Sequence, residues 1–138
     1  MKSLLILILF LAAGCNRPSV DPTLRANADA GNLDAQLTVG NLYLDEKDNE
    51  LGRKYMLMAA EQGSIDGINN LGYIETGVTG APENKREALK WHRIAEILSK
   101  QESSKVKFDK RDMESSDIQY AESQARKWLA DRPTITSK

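Results

Sequence analysis

Side chains able to do acid, base or nucleophilic chemistry are few in this sequence. His92 is the only histidine, and no cysteine or second histidine stands near it to complete a metal site. The serines that could act as nucleophiles lack a glycine elbow and a nearby His-Asp pattern; they are Ser64, Ser99, Ser103 and Ser104. We interpret His92 as a partly exposed helix residue and predict no catalytic residue, no metal site, no cofactor and no enzymatic activity.

Two further groups of residues could bind a ligand, and we assign a structural role to both. The acidic run at residues 45–50 lacks the ligand spacing and central glycine of a calcium loop, so we interpret it as a solvated turn leading into a helix. Tyr55, Trp91 and Trp128 could anchor a ligand, but aromatic residues at helical spacing are more often core residues. We therefore predict that these three pack inside the fold.

Composition favours one small helical domain with appendages. The chain has 138 residues, of which 41% are hydrophobic, 28% charged and 6% aromatic, and its net charge is −1. Acidic and basic residues are interleaved, so no single-sign surface is available for a phosphate backbone. A nucleic-acid partner is therefore not predicted.

The first fifteen residues have the pattern of a bacterial export signal. Lys2 precedes an apolar run at residues 4–13 that is too short to span a membrane comfortably. Residues 11–15, Leu-Ala-Ala-Gly-Cys, resemble the lipobox of bacterial lipoproteins, in which the cysteine is lipidated and becomes the first mature residue. The resemblance implies a signal peptide at residues 1–14 and lipidation of Cys15. An ordinary cleaved signal with a free thiol is the alternative.

Residues 15–24 are predicted to be a tether, because they contain Pro18 and Pro22 and no apolar periodicity. The fold is expected to start near Pro22, with Asp21 as the helix cap. Asn16 after the cysteine suggests the outer membrane, by resemblance to enterobacterial sorting. We expect a periplasmic protein that contacts the membrane through its lipid anchor.

Residues 28–98 contain two copies of one unit. Residues 30–40 align with residues 62–72, a shift of 32, and the segments that follow align with a shift of 36. Apolar residues recur three or four positions apart in each segment, so each copy is predicted to be a pair of helices. We place the two helical hairpins at residues 25–104, joined around residues 59–67.

Four glycines have two different roles in this arrangement. Gly31 and Gly63 fall in turns, where a left-handed backbone costs glycine least. Gly40 and Gly72 fall inside helices, where glycine costs about 1 kcal/mol relative to alanine. We expect the second pair to permit the close approach of a neighbouring helix.

The end of the chain, residues 105–138, is predicted to be a polar loop followed by a capping helix. Residues 100–115 are highly polar, and we expect a loop or a frayed helix there. Residues 116–119 have the pattern of a capping box, as do residues 84–87 at the start of the second rear helix. An apolar stripe then runs from Ile118 to Leu129, which suits the cap that an open stack of hairpins needs.

The repeated residues resemble the Sel-one-like repeat (SLR) family, relatives of the tetratricopeptide repeats. The resemblance covers about residues 26–100 and rests on Ala-Glu-Gln-Gly at 60–63, Leu71-Gly72, Gly77-Val78, residues 87–91 and Ala95. It implies an all-α fold, namely a short right-handed superhelix of two SLR hairpins closed by a C-terminal helix. It also implies that the chain is a protein-interaction scaffold.

The front helix of each hairpin is expected to line the concave side of such a stack, so its unpacked polar residues are the candidate protein-binding residues. They are Thr38, Asn41, Asp45, Asn69, Asn70 and Tyr73. Tyr73 is the strongest candidate, because an exposed aromatic residue with a polar tip is a common interface anchor. Plain solvation of these side chains is the alternative.

Small SLR lipoproteins resemble periplasmic immunity proteins of type VI secretion systems, which neutralise phospholipase effectors. This resemblance implies a lipid-anchored module that binds and neutralises a secreted antibacterial effector. The alternative is an SLR scaffold or adaptor that binds an envelope regulator, a cell-wall enzyme or a host protein.

Overall fold

The computed structural model describes residues 20–136, and within this range the chain is helical with no strand. The predicted signal peptide, Cys15 and most of the predicted tether lie outside the described residues. In chain order the helices are α1 (Pro22–Asp29), α2 (Leu33–Asp45), α3 (Asn49–Glu61), α4 (Ile65–Glu75), α5 (Lys85–Ser99), α6 (Ser104–Asp109), α7 (Ser115–Ala130) and α8 (Pro133–Thr136).

The helices stack as hairpins, which confirms the all-α solenoid prediction. The first hairpin is α2 with α3 and the second is α4 with α5, and α3 packs on α4 to join them. At one end α1 packs on α2, and at the other end α7 packs on α5. We call α2 and α4 the front helices, and α3 and α5 the rear helices.

Side-chain caps explain where most of these helices begin. Asp21 caps α1 by accepting from the backbone N–H groups of Thr23 and Leu24, and Pro22 occupies the first turn, as predicted. Asn84 caps α5 by accepting from the backbone N–H of Glu87 at 3.3 Å, which confirms that start. The caps of α2, α3 and α4 are Asn32, Asp48 and Ser64.

The predicted capping box at residues 116–119 is wrong. Helix α7 begins one residue earlier, at Ser115, and its cap position is Glu114, which makes no side-chain capping bond. Helix α7 is held instead by its buried residues, which are Ala121, Ala125 and Leu129. Packing against α5 therefore decides where α7 lies, and local capping does not.

Part of the segment predicted to be a loop or a frayed helix is packed against the core. Helix α6 has only six residues, yet Val106 is 5% exposed and Asp109 is 7% exposed. Val106 belongs to a small cluster with Leu89 of α5 and Ala121 of α7. Helices α6 and α7 thus both pack on α5, and α6 carries side chains to the front of the stack.

The aromatic residues predicted to be core residues pack as expected. Tyr55 is fully buried and stacks on Tyr43 with ring centroids 5.8 Å apart. Trp91 is 3% exposed and meets Trp128 edge to face at 5.6 Å. Trp128 is half-buried and packs against the central cluster formed by α3, α4, α5 and α7.

The joint between the two hairpins is held from both sides. Gly63 has φ +87° and Gly31 has φ +96°, which confirms the left-handed turns predicted there. Gln62 donates to the carbonyl of Gly31 at 3.0 Å and to the side chain of buried Gln36 at 2.7 Å. On the other side Ile135 packs against Gly63. These contacts set the spacing between α2 and α4.

Gly40 and Gly72 permit close helix packing, as predicted, but against different neighbours. A Cβ on Gly40 would lie 2.8 Å from the terminal methyl of Met56. A Cβ on Gly72 would collide with the imidazole ring of His92. The Met56 methyl ends a flexible side chain that can move aside, whereas the His92 ring is held by a further hydrogen bond to Asp109.

Charged hydrogen bonds tie α6 and α7 to the stack. Glu96 of α5 accepts from the backbone N–H of Ser103 at 2.9 Å and pairs with Arg93. Burial raises the pKa of Glu96, but the bonds from Ser103 and Arg93 and the charges of Arg93 and Lys110 together lower that pKa by more. The hydrogen bond that Lys110 donates to Glu122 at 2.6 Å lowers the pKa of Glu122.

The two helical glycines make a matched pair for substitution. We expect Gly72→Ala to lower the free energy of unfolding by about 2 kcal/mol, because the new methyl group overpacks the held His92 ring. We expect Gly40→Ala to change it by less than about 1 kcal/mol, because the gain in helix propensity offsets the movement of Met56. Denaturant unfolding of both variants checks this, and equal losses would contradict it.

Acid should weaken the attachment of α6 and α7. The pKa values of Glu96 and Glu122 are lowered from the ordinary value of 4.5, so their stabilisation is complete above that value. This stabilisation is lost as the pH falls through the lowered pKa values that the two carboxyl groups have in the folded protein. We expect the free energy of unfolding to be flat from neutral pH to about pH 5 and then to fall.

The carboxamide variant Glu122→Gln tests the source of this pH dependence. It should flatten the acid slope of unfolding followed by circular dichroism. Glu102→Gln is the control, because the side chain of Glu102 is 84% exposed. An unchanged slope in Glu122→Gln would show that its ion pair with Lys110 is not the cause.

Candidate functional site

A groove on the front of the stack collects most of the residues predicted to bind a partner. It has a volume of about 290 Å³ and lies between α2 and α4, with one wall from α6. We call it the front groove, and its lining residues are Leu37, Asn41, Asp66, Asn69, Asn70, Tyr73 and Lys105. Four of the six candidates, Asn41, Asn69, Asn70 and Tyr73, therefore lie at one place.

The other two candidates lie on α2 outside the front groove. Thr38 is exposed, and its hydroxyl donates to the carbonyl of Asp34 at 2.8 Å. Asp45 is exposed at the end of α2, and it has no ion pair among residues 20–136. The structure therefore does not bring Thr38 and Asp45 into the groove.

The polar side chains of the front groove are ordered by one another. Asn70 donates to the side-chain oxygen of Asn41 at 3.3 Å, which links the two front helices. Lys105 donates to the side-chain oxygen of Asn69 at 3.0 Å, and its ammonium lies 4.4 Å from the ring centroid of Tyr73. Lys105 is a groove residue that the sequence interpretation missed, because it lies in the polar stretch at residues 100–115.

A second and larger cavity adjoins the front groove. It has a volume of about 620 Å³ and lies between the end of α4, the loop after it, the start of α5 and α6. We call it the α4–α6 cavity. Its apolar walls are Tyr73, Val78, Ala88 and Phe108, and the charged side chains at its edge are Glu83, Lys85, Lys105, Arg111 and Asp112. Tyr73 and Lys105 line both spaces.

His92 lies at the wall of the α4–α6 cavity, and the prediction that it is partly exposed is wrong. It is 2% exposed, because α6 covers it. Its Nδ1 is 2.5 Å from Oδ2 of Asp109, and a carboxylate oxygen accepts the bond. The ring also meets Tyr73 edge to face at 5.6 Å.

These contacts give His92 a positioning role. Nδ1 is occupied by Asp109, and Nε2 packs against Gly72 and has no hydrogen-bond partner among the described residues. The imidazole joins α5 to α6 through Asp109 and contacts Tyr73 of α4.

Residues 20–136 contain no group of three or more histidine, cysteine, aspartate or glutamate side chains placed to hold a metal ion. Over the same range no helix is both long enough and apolar enough to cross a membrane.

The His92–Asp109 bond should contribute strongly to stability. We expect Asp109→Ala to lower the free energy of unfolding by about 3 kcal/mol, because it leaves a buried imidazole without its partner. Hydrogen exchange should then be faster at the amides of α6. Glu102→Ala on the same segment is the control and should cost less than about 1 kcal/mol. If the two variants are equally stable, the bond does not hold α6.

Comparison with known proteins identifies the fold. No protein-family model matches the sequence, and no curated protein matches it. Among solved structures the chain is similar to a protective antigen present in uropathogenic Escherichia coli strains, which displays an SLR fold. The TM-score is 0.71 at 22% sequence identity over 83% of this chain.

The match covers 26% of that antigen, so the chain spans about a quarter of its length. Identity at this level carries the fold and no more. The stacked hairpins, the turn glycines and the structural match agree, and this chain has the SLR fold, an α-solenoid of helical hairpins.

Proposed function

We propose that the protein is a non-enzymatic module that binds another protein through the front groove. The observation that carries this proposal is the meeting of Asn41, Asn69, Asn70 and Tyr73 in one groove. Side-chain amides both donate and accept hydrogen bonds, so they suit the backbone of a bound segment. Tyr73 is 41% exposed beside them and provides an aromatic anchor.

The chemistry of the front groove supports a binding role. The front groove itself contains amides, one phenol, one carboxylate and one ammonium group. The ammonium of Lys105 is already engaged by Asn69 and by the ring of Tyr73. Such a set of groups is suited to recognition.

The proposal extends to a cellular setting, namely a lipid anchor at Cys15 that holds the module in the periplasm, at the outer membrane. Its support is the lipobox-like pattern of residues 11–15, which lie outside the described part of the structure. Anchoring a binding module beside a membrane raises its effective concentration there. That arrangement suits an immunity protein that captures a secreted phospholipase-type effector as it reaches the membrane.

Photo-crosslinking in cells tests the binding surface. With p-benzoylphenylalanine in place of Asn41 or Tyr73, we expect a covalent adduct with one protein. The matched controls are Lys54 on α3 and Arg126 on α7, which are exposed and line neither the front groove nor the α4–α6 cavity. Adducts of equal yield at the control positions would contradict a front binding site.

The identity of the captured protein separates the two kinds of partner. A secreted effector encoded beside this gene, together with killing of a deletion strain by its neighbours, supports the immunity role. An endogenous envelope protein captured in a strain that lacks any secretion effector supports an adaptor. A deletion strain that resists the effector would exclude the immunity role and leave protein binding intact.

A further inference from the structure

The most exposed apolar side chains of the described residues converge on one cavity. Val78 is 74% exposed and Phe108 is 62% exposed, the two highest values among the large hydrophobic residues of the range 20–136. Both line the α4–α6 cavity, and Tyr73 forms a third wall. Single exposed apolar residues are ordinary, but several around one concave space mark a binding site.

This cavity adjoins the front groove. Tyr73 and Lys105 line both spaces, so a segment bound in one can contact side chains of the other. The cavity volume of about 620 Å³ is large enough for a bulky side chain. His92 and Asp109 hold its wall in place, because they fix α6 against α5.

Each front helix carries an exposed carboxylate in its first turn. Asp34 and Asp66 occupy equivalent positions at the start of the two front helices, and Asp66 lines the groove. Both are exposed and neither has an ion pair within residues 20–136.

The edge of the α4–α6 cavity, in contrast, carries both signs. Lys85 and Arg111 have no carboxylate partner among the described residues, and Glu83 and Asp112 have no cation partner there. This edge therefore selects for neither sign, and the apolar walls dominate recognition at this end. At the far end of the front groove the unpaired carboxylate of Asp66 favours a cationic partner, and Asp34 is exposed at the start of the neighbouring front helix.

We infer that the front groove and the α4–α6 cavity bind one extended segment of a partner protein, in which a large apolar side chain enters the cavity and lysine or arginine residues follow over Asp66 and Asp34. This inference rests on the proposed protein-binding function and specifies the chemistry of the partner. The apolar side chain provides the anchor, and the cations provide orientation along the groove and a salt-dependent association rate.

Three fluorescent synthetic peptides of about a dozen residues test this inference on the full chain in mild detergent. The first carries several lysines and one tryptophan, the second replaces the tryptophan by alanine, and the third replaces the lysines by glutamates. Fluorescence anisotropy should show the first binding at least about tenfold more tightly than either of the others. Equal affinities, or no binding of any peptide up to millimolar concentration, would overturn the inference.

Variants of the protein then show which part of the site binds the tryptophan and which part binds the lysines. Phe108→Ser should weaken the tryptophan peptide about tenfold and leave the alanine peptide unchanged. Asp34→Asn combined with Asp66→Asn should reduce the salt dependence of binding. Leu57→Ser on α3 is the matched control, since Leu57 is 37% exposed and lines neither the front groove nor the α4–α6 cavity. Thermal unfolding of each variant shows that the fold is retained.

Other outcomes separate this inference from the function on which it rests. A partner that crosslinks at Asn41 and Tyr73 but is indifferent to Phe108→Ser and to salt would overturn the inference and leave the proposed function standing. A concentration-dependent dimer that Phe108→Ser dissociates would show that a second copy covers the cavity, which also overturns the inference. Absence of any front-groove adduct would instead count against the proposed function itself.

Discussion

The buried hydrogen bond between His92 and Asp109 is the contact on which the front of this molecule depends. Asp109 ends a helix of six residues, which has too few internal hydrogen bonds to be stable alone. The bond holds that helix on α5, and the helix in turn supplies Lys105 to the front groove and Phe108 to the adjoining cavity. A single buried polar pair therefore places side chains in both the front groove and the α4–α6 cavity.

The imidazole of His92 also contacts both the helical glycine Gly72 and the exposed residue Tyr73. Its ring lies over Gly72, where any side chain would collide, and it meets Tyr73 edge to face. The glycine inside α4 thus makes room for the ring that contacts the exposed tyrosine. At the equivalent position in α2, the closest contact of a Cβ on Gly40 would be the flexible end of Met56, with the Cβ of Tyr55 at 3.3 Å.

The joint of the stack and its front surface use different residues. Gly31 and Gly63 form the left-handed turns, and Gln62 bonds to Gly31 and Gln36, which fixes the distance between the front helices. The front helices then expose amides, an aromatic residue and unpaired carboxylates. A solenoid suits this division, because each hairpin contacts only its neighbours and leaves one face open.

The sequence alone was sufficient to predict the repeated hairpins, the turn glycines and the start of the first described helix at Asp21 and Pro22. These features depend on local periodicity and on capping residues, and both are set by residues that are close together in the chain. The burial of His92, the packing of α6 and the role of Lys105 were decided only by tertiary structure. Each depends on a contact between residues far apart in the chain, and the polar composition of residues 100–115 gives no local sign of it.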